Sequence, residues 1–490
     1  MIFLIAIMFQ DNFNELQHLA DSGTPLFHAR CSDFEILYSP GQVFVVSTQE
    51  AAQLRYACEI VLKHDIMTDA GVSKTIIRVG EQICRHSEYI CKQVKAQNLT
   101  AFAPECLMIL HNQGCELACT YCYAMPENRN QKKVSQDEMI AATKIVAESC
   151  CRNGKRMHVV FHGGGEPMLD QVVIEKYLPI LEKIAANYGV AVGTYMATNG
   201  VTSADNACWL SENIDMVGLS FDGPPDIQNR QRPYRNGRPT AKIVERTGRI
   251  LSKGPSLLHV RTTITPDTIT RQAEIVEYIQ NKFAPAAIRL EPLFNTAHNK
   301  TKWSAKDASL FVQHFMNALV IAKVPLLTSV CRPYELYGAY CYMKQQTLAI
   351  VPGGGVTACF KKTDIFHPDY SGWCVGMFNP KTMRYTLNTD RIAAIRKLCS
   401  AFPPSCGSCF NHFHCTLGCP DICQIKRPEN TYPPAGFLCD VQRCMTQEVI
   451  FEAARTLWKE ANKRGISKAR FCSTPLLPPV RETDPEFIEL

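Results

Sequence analysis

The chain has 490 residues, of which 46% are apolar, and a formal net charge of +6 that is spread along its length. This length predicts about two to four domains, and the apolar content suffices for a large core. The small net charge argues against a nucleic-acid partner or a membrane surface.

The first eight residues (MIFLIAIM) are apolar but too short to span a bilayer, and they lack the basic region and cleavage site of a signal peptide. A buried first strand or a frayed end is the better interpretation, and we expect a cytoplasmic protein without membrane contact. Residues 1–105 are predicted as an N-terminal region with a hairpin over 34–47, turning at Ser39-Pro40-Gly41. Two helices are predicted near 48–64 and 78–95.

Strands and helices alternate from residue 107 onward. Strands are predicted at 107–111, 157–161, 190–195, 216–220, 259–264 and 287–290, and helices at 135–151, 170–187, 203–212, 240–252 and 269–281. Such alternation implies parallel pairing through right-handed crossovers. The prediction is an α/β fold with a partial (β/α)6 TIM-like barrel over 106–310, which would bind ligands at the carboxyl ends of its strands.

Beyond about residue 325 the alternation stops and the chain is rich in Cys, Gly and Pro up to 444. We expect a Cys-rich domain over 325–450 and a helix near 445–463. The segment 451–490 would hold the end of that helix and a tail, whose Pro-rich, acidic residues 473–490 are expected to be loosely ordered.

The 24 cysteines far exceed ordinary usage. Disulfide scaffolds with so many are small and secreted, so metal ligation is the better interpretation here. Cys115, Cys119 and Cys122 share a compact loop after the first barrel strand, which suits a cubane iron–sulfur cluster. Three ligands leave one iron open, as is typical of a reactive site. A structural zinc site is the alternative, but the loop lacks a fourth ligand.

This C-x3-C-x2-C spacing, with the aromatic Tyr121 just before the last cysteine, resembles the radical S-adenosylmethionine (radical SAM) superfamily. In that family the open iron binds the amino and carboxylate groups of S-adenosylmethionine. Electron transfer then releases methionine and a 5′-deoxyadenosyl radical. The resemblance implies that Tyr121 lies against the adenine, with core packing as the alternative.

Motifs at the ends of the next strands extend the resemblance. The segment 162–167 (HGGGEP) resembles the family's GGE motif, whose backbone receives the methionine amino group, and 198–200 (TNG) resembles its TNG segment. Ser220 and Arg232 look like the pair that binds the carboxylate, which an arginine suits because it donates two parallel hydrogen bonds. Arg230 is an equal candidate, and surface solvation is the alternative for either. The implied contacts with S-adenosylmethionine are Tyr121, Gly164, Gly165, Glu166, Asn199, Ser220 and Arg232.

A second set of cysteines resembles the SPASM pattern, the auxiliary-cluster domain of many radical enzymes that modify peptides or proteins. Its members are Cys341, Cys359, Cys406, Cys409, Cys415, Cys419 and Cys439. The resemblance implies two auxiliary 4Fe–4S clusters besides the radical SAM cluster. The distal one would be held by Cys406, Cys409, Cys415 and Cys439, and the proximal one by Cys341, Cys359 and Cys419.

The fourth proximal ligand stays open between Cys331, Cys374 and no protein ligand at all. Cys423 and Cys444 are expected to be small buried hydrophobes or local thiols.

By this resemblance the chain is predicted to be a maturase that introduces a crosslink, thioether, epimerised centre or excision into a ribosomally made peptide. Its partners would be a precursor peptide or protein and an external one-electron reductant such as flavodoxin or ferredoxin. The N-terminal region would recognise a leader peptide by strand addition to its hairpin, or it would cover the barrel.

Two alternatives remain. An anaerobic sulfatase-maturing enzyme would place an Asp directly after the second SPASM cysteine, whereas Phe360-Lys361-Lys362 follow Cys359 here and Asp364 is the nearest acid. A non-catalytic iron–sulfur or zinc scaffold would leave the successive strand-end motifs unexplained.

Overall fold

The computed structural model describes most of the chain: residues 16–19, 25–63, 72, 74–97, 101–124, 132–294, 303–304, 306–332, 336, 346–363, 365, 370–400, 402, 406–415, 436–463 and 471–475. The predictions for residues 1–15, for Cys341, Cys419 and Cys423, and for the tail beyond 475 lie outside the described residues. No helix in the described ranges is both long enough and apolar enough to span a bilayer.

An antiparallel sheet forms the N-terminal region. Its strands are β1 (Gln17–His18), β2 (Phe27–Arg30), β3 (Phe34–Ser39) and β4 (Gln42–Ser47). The predicted hairpin is confirmed, because β3 and β4 pair along their full length. At the turn, Gly41 has a φ of +83°, which glycine adopts without steric cost.

Both predicted N-terminal helices are also confirmed, as α1 (Thr48–Lys63) and α2 (Lys74–Gln97). They bury one face of this sheet, where Leu37 and Phe44 meet Leu54 and Ile83.

Six strands of the main sheet each precede at least one helix. The strands are β5 (Cys106–Ile109), β6 (Met157–Phe161), β7 (Val192–Thr198), β8 (Met216–Ser220), β9 (Leu257–Ile264) and β10 (Ala287–Pro292). The helices are α3 (Gln136–Asn153), α4 (Gln171–Asn187), α5 (Ala204–Asn213), α6 (Pro225–Gln231), α7 (Ala241–Leu251), α8 (Gln272–Lys282) and α9 (Asp307–Ile321). Neighbouring strands pair in parallel in chain order. The predicted α/β class, with six strand–helix units, is confirmed.

Local hydrogen bonds explain where α3 begins and ends. Ser135 accepts a hydrogen bond from the backbone N–H of Glu138, whose carboxylate accepts one from Ser135 N in return, and Gly154 ends α3 with a φ of 62°. This capping box and left-handed C-cap satisfy backbone groups that a helix end leaves unpaired. The apolar face of the helix then packs on β5 and β6 in the main core.

The sheet continues beyond α9 instead of ending there. The later strands are β11 (Leu326–Leu327), β12 (Thr347–Val351), β13 (Gly355–Thr357), β14 (Cys374–Asn379) and β15 (Arg384–Leu387), and the later helices are α10 (Tyr370–Trp373), α11 (Thr389–Ser400) and α12 (Phe437–Lys463). β12 pairs in parallel with β5, and β13 to β15 extend that edge in antiparallel fashion. The C-terminal region is thereby joined directly to the first barrel strand.

The second face and one edge of the N-terminal sheet are covered by the C-terminal region. Phe410 packs against this face together with Ile450 and Phe451 of α12, and the Tyr38 hydroxyl shares a hydrogen bond with the His414 ring. β16 (Phe471–Pro475) pairs with β4. This edge of the hairpin, where strand addition was one option, is therefore occupied by the chain itself.

Several predictions of elements were wrong. β7 ends at Thr198, three residues beyond the predicted end, α12 begins at Phe437 and not near 445, and residues 473–475 lie in β16 instead of a loose tail. α6, α9 and the strands from β11 onward were not predicted. α9 packs against both α8 and α12, contacts that a local pattern does not reveal. The short late strands depend on pairing with strands that are distant in sequence, since β11 pairs with β10 and β12 with β5, which a local pattern does not encode.

Candidate active site

The loop after β5 brings Cys115, Cys119 and Cys122 to the wall of one cavity, of about 330 Å³, at the carboxyl ends of the parallel strands. Burial, and then the nearby Glu166 carboxylate, raise the pKa of the Cys115 thiol to about 12. Burial raises the pKa of Cys119 to about 11, against the lowering effect of Arg232. Thiols held neutral in this way are poor nucleophiles on their own, and a metal that displaces their protons would turn them into ligands.

The donor set of this loop fits an iron–sulfur cluster with three protein ligands. Each thiol raises the pKa of its neighbour, since Cys119 acts on Cys115 and Cys122 acts on Cys119. No group of three or more His, Cys, Asp or Glu side chains in the described ranges has a finished metal-binding arrangement. The assignment of these three cysteines as cluster ligands therefore rests on the cavity wall that they share and on the chemistry of their thiols.

A second segment braces the cysteine loop from outside. Ala118 N donates to Pro233 O at 2.9 Å, Thr120 N donates to Gln231 O at 2.9 Å, and Leu117 forms a bridge with Tyr234. The loop is thus held like a short strand, which fixes the backbone between the cysteines.

The glycine loop after β6 packs directly beneath the cysteine loop. A Cβ on Gly165 would lie 2.0 Å from Gly114 O and 2.3 Å from Asn112 Oδ1. Glu166 N donates to Gly114 O at 2.6 Å. Only glycine permits this approach, so the backbone of Gly164 and Gly165 lines the cavity without side chains in the way.

Glu166 ties the ends of β6 and β7 together with its buried carboxylate. Oε1 accepts from Met168 N at 3.1 Å and from the Thr198 hydroxyl at 2.8 Å, and Oε2 accepts from Asn199 N at 2.7 Å. Burial raises its pKa to about 7, and Glu116 adds to that rise while these hydrogen bonds oppose it. The Asn199 amide in turn donates to Cys115 Sγ at 3.6 Å, so Asn199 links the third strand end to the cysteine loop.

Asp222 organises the side chains on the wall formed by β8 and α6. It is fully buried and accepts from the Tyr121 hydroxyl at 2.6 Å and from the Gln231 amide at 2.8 Å. Arg232 Nε lies 3.1 Å from the same carboxylate oxygen, and the guanidinium lies 5.2 Å from the Tyr121 ring centroid. Burial alone would lower the pKa of Arg232, but Asp222, Tyr121 and Cys119 together outweigh burial and raise the pKa, so Arg232 is a permanent cation on the wall.

The structure brings together all the residues predicted to contact S-adenosylmethionine. Each of Tyr121, Gly164, Gly165, Glu166, Asn199, Ser220 and Arg232 lines the cavity with the three cysteines. Arg230, the alternative donor, is exposed on the last turn of α6 and does not line the cavity. Their contact with a ligand stays a prediction.

Other cavity residues were missed by the sequence analysis. They include His162, Arg261, Glu291, Phe360 and Lys361. Burial and the neighbouring Arg261 lower the pKa of His162 to about 4, so its ring is neutral. His162, Arg261 and Glu291 lie near the ends of β6, β9 and β10, and this position could have identified them as site residues. No local pattern in the sequence marks Phe360 and Lys361, which follow β13.

The auxiliary cysteines that the structure describes fall into two places. Cys406, Cys409, Cys415 and Cys439 are neighbours, because burial and then the other three thiols raise the pKa of Cys439. Cys359 follows β13 and raises the pKa of Tyr123 on the cavity wall. This grouping is compatible with the predicted distal set.

The two candidates for a fourth proximal ligand differ in their surroundings. Cys331 Sγ lies 3.4 Å from the Thr446 hydroxyl on α12, and Cys415 raises its pKa. Cys374 on β14 pairs with Thr357 on β13. Thr357 lies two residues before Cys359 in sequence. Strand pairing thus relates Cys374 to Cys359, while Cys331 neighbours the distal group.

Residues 109–278 match the family model described as the Radical SAM superfamily. These residues form a radical SAM domain. The chain is also 29% identical, over 194 residues, to the cysteine-type anaerobic sulfatase-maturating enzyme of Clostridium perfringens, a match that covers 37% of this chain and 51% of that enzyme. The serine-type enzyme of Bacteroides thetaiotaomicron is 29% identical over 157 residues, covering 30% of this chain and 36% of that enzyme. The chain thus matches about half the length of these relatives, or less.

A solved structure of native anSMEcpe with bound AdoMet and Kp18Cys peptide matches with a TM-score of 0.55 and 19% identity, covering 71% of this chain and 98% of that one. At this identity the match concerns the fold alone. The radical SAM domain contains the cysteine loop, the glycine loop and the Asp222 wall, so an iron–sulfur cluster and S-adenosylmethionine are the cofactors expected of it.

Proposed function

We propose that this protein is a radical SAM/SPASM enzyme that modifies a ribosomally made peptide. One observation carries the proposal: Phe360 and Lys361, which follow Cys359 of the C-terminal region, line the same cavity as the three cysteines of the radical SAM domain. Tyr123, next to Cys122, meets the Phe360 ring edge-on at 5.5 Å. A substrate in this cavity would touch both parts of the protein.

The residues of the radical SAM domain would bind and orient S-adenosylmethionine. The backbone of Gly164 and Gly165 would receive the amino group, and Ser220 with Arg232 would bind the carboxylate. Tyr121, fixed by its hydrogen bond to Asp222, would present its ring to the adenine. A cluster held by Cys115, Cys119 and Cys122, together with S-adenosylmethionine, would supply the one-electron chemistry that activates a C–H bond of the substrate. The buried walls would keep water from the reacting groups.

The C-terminal cysteines would hold two auxiliary clusters. Cys406, Cys409, Cys415 and Cys439 suit the distal one, because the first three thiols all lie near enough to Cys439 to raise its pKa further once burial has raised it. Cys341, Cys359 and Cys419 would hold the proximal one. Cys374 is the better candidate for its fourth ligand, since β13 and β14 relate it to Cys359.

A peptide substrate has further support from the solved relative. The anSMEcpe structure contains a bound peptide, and that chain shares the fold of this one. Residues at the carboxyl ends of several parallel strands line one cavity, and β11 lies at the edge of that sheet. An extended peptide segment, held by main-chain contacts, would be the substrate that we expect there.

Sulfatase maturation is a second candidate, favoured by homology to anaerobic sulfatase-maturating enzymes. Against it, Phe360 stands directly after Cys359, where that resemblance calls for an Asp, and the next residue on the cavity wall is Lys361. Glu291 is a carboxylate on the wall, but both its oxygens accept hydrogen bonds from Ser329. Glu166 also lines the cavity, but its carboxylate accepts hydrogen bonds from Thr198 and Asn199, so Glu291 is the candidate that we would test first as proton acceptor for formylglycine formation.

The test is co-expression with short peptides encoded beside the gene, followed by mass spectrometry, and then turnover with reconstituted enzyme, dithionite and S-adenosylmethionine. We expect a mass change in one such peptide that requires S-adenosylmethionine. A Cys- or Ser-containing sulfatase peptide is the comparison substrate, and its conversion to formylglycine would favour the second candidate. Turnover of a free amino acid or sugar, with no response to any peptide, would contradict both.

A further inference from the structure

The segment that braces the cysteine loop, residues 229–238, presents a cluster of exposed arginines, which we call the arginine segment. Arg230, Arg235 and Arg238 are exposed, whereas Arg232 is buried against Asp222. Residues 227–244 contain no Asp or Glu. None of the three exposed guanidinium groups forms an ion pair with a carboxylate in the part of the chain that the structure describes. The segment is therefore a local excess of positive charge.

The arginine segment lies directly against the backbone of a cysteine predicted to be a cluster ligand. Arg235 Nε donates to Cys115 O at 2.8 Å, and Arg235 N donates to Glu116 O at 3.0 Å. The exposed Arg235 is thus bonded directly to the backbone of the cysteine loop. A protein that docks on the arginine segment would lie against the residue that holds Cys115.

The arginine segment is also preorganised. Gly237, with a φ of +78°, makes the turn. The Arg238 guanidinium lies 5.3 Å from the Tyr234 ring centroid, and its Nε donates to Asn236 Oδ1 at 3.3 Å. Because these contacts already restrain the Arg238 side chain, it needs little further ordering when a partner binds.

We propose that the arginine segment is the docking surface for an acidic one-electron carrier protein. This inference rests on the proposed radical SAM function. The carrier is oxidised by one electron, which the enzyme takes up at the cysteine loop and passes to S-adenosylmethionine. A positive patch steers an acidic partner and raises its association rate, by a factor that depends on salt. The cavity side of the loop is left to substrate, because none of these three arginines lines the cavity.

The test compares two reductants on the full-length reconstituted enzyme. The variant is Arg230→Glu with Arg238→Glu, which leaves Arg235 in place to hold Cys115. The matched control is Lys176→Glu with Lys183→Glu, the same change of charge on the exposed face of α4, which runs away from the cysteine loop. Formation of 5′-deoxyadenosine is measured with reduced flavodoxin and with reduced methyl viologen, a small cation.

With flavodoxin at low salt, the arginine variant should be slower by about tenfold, the usual lower range of electrostatic steering. The difference in rate between the arginine variant and wild type should become smaller near 0.5 M salt, where the screening length falls to about 4 Å. With methyl viologen it should equal wild type, and the lysine control should equal wild type with both reductants.

Three results would overturn the docking surface. The first is an arginine variant that matches the lysine control with flavodoxin. The second is an equal loss with both reductants, which would indicate damage to the cysteine loop. The third is a raised KM for the peptide substrate with methyl viologen, which would make the patch a substrate site. Failure of wild type to form 5′-deoxyadenosine with either reductant would instead contradict the proposed function.

Discussion

Replacing Gly165 by alanine should force apart the glycine loop and the cysteine loop. The new Cβ would lie 2.0 Å from Gly114 O, where real contacts do not fall below 3.0 Å, so the loops must separate by at least 1.0 Å. The atom it meets is backbone and cannot rotate away. The 2.6 Å hydrogen bond from Glu166 N to Gly114 O would break as they separate.

The cost of this substitution follows from those two effects. Overpacking costs about 1–3 kcal/mol, and a buried N–H without an acceptor costs about 1–3 kcal/mol more. Together they predict a loss of about 2–6 kcal/mol, and a melting temperature lower by at least about 4 °C. The variant should also retain less iron and cleave less S-adenosylmethionine, because the cysteine loop moves.

The matched control is Gly114→Ala, on the other side of the same contact. Its Cβ would meet only Leu169 Cδ1 at 3.4 Å and Asn112 Oδ1 at 3.9 Å, both ordinary distances. Thermal unfolding of the apoproteins and iron content after reconstitution compare the two variants. A Gly165→Ala protein as stable and as active as Gly114→Ala would refute the close packing of the two loops.

Three further predictions concern charge and metal. Asp222→Asn should cost about 3–5 kcal/mol in urea unfolding, because Arg232 is left as a buried charge without its counter-ion; unchanged stability would contradict the ion pair. Glu166 has a pKa of about 7 when folded against 4.5 as its ordinary value. The unfolded chain therefore loses this proton first as pH rises, and apoprotein stability should fall by about 3 kcal/mol between these pH values. The Glu166→Gln variant should not show this fall in stability. The same pH dependence of stability in the variant and in wild type would contradict the raised pKa of Glu166. Replacing Cys406, Cys409 and Cys415 together by alanine should remove about a third of the iron and leave S-adenosylmethionine cleavage intact. An unchanged iron content would show that these cysteines hold no cluster.

The barrel could be predicted from the sequence because its signals are local. Strands such as β6 and β8 are short apolar runs bounded by turn residues, and their predicted limits agree with the structure. Parallel strands end at one edge, so motifs that follow them must converge. Together with the resemblance to radical SAM motifs, this rule predicted that Cys115, Asn199 and Ser220 share a cavity.

The remainder of the site depends on contacts that no local pattern encodes. Asp222 lies two residues after Ser220 in sequence, but its pairing with Arg232 requires α6 to turn the chain back. Phe360 and Lys361 reach the cavity because β12 inserts beside β5, about 240 residues away in sequence. Neither arrangement follows from spacing or periodicity.

Cleavage of S-adenosylmethionine by a cysteine-loop variant tests the central assignment most directly. The protein with Cys115, Cys119 and Cys122 all replaced by alanine is reconstituted anaerobically beside wild type and given dithionite and S-adenosylmethionine. Wild type should form 5′-deoxyadenosine, and the variant should form none while keeping the iron of its auxiliary sites. Undiminished cleavage by the variant, or zinc in place of iron in wild type, would contradict a radical SAM cluster at these three cysteines.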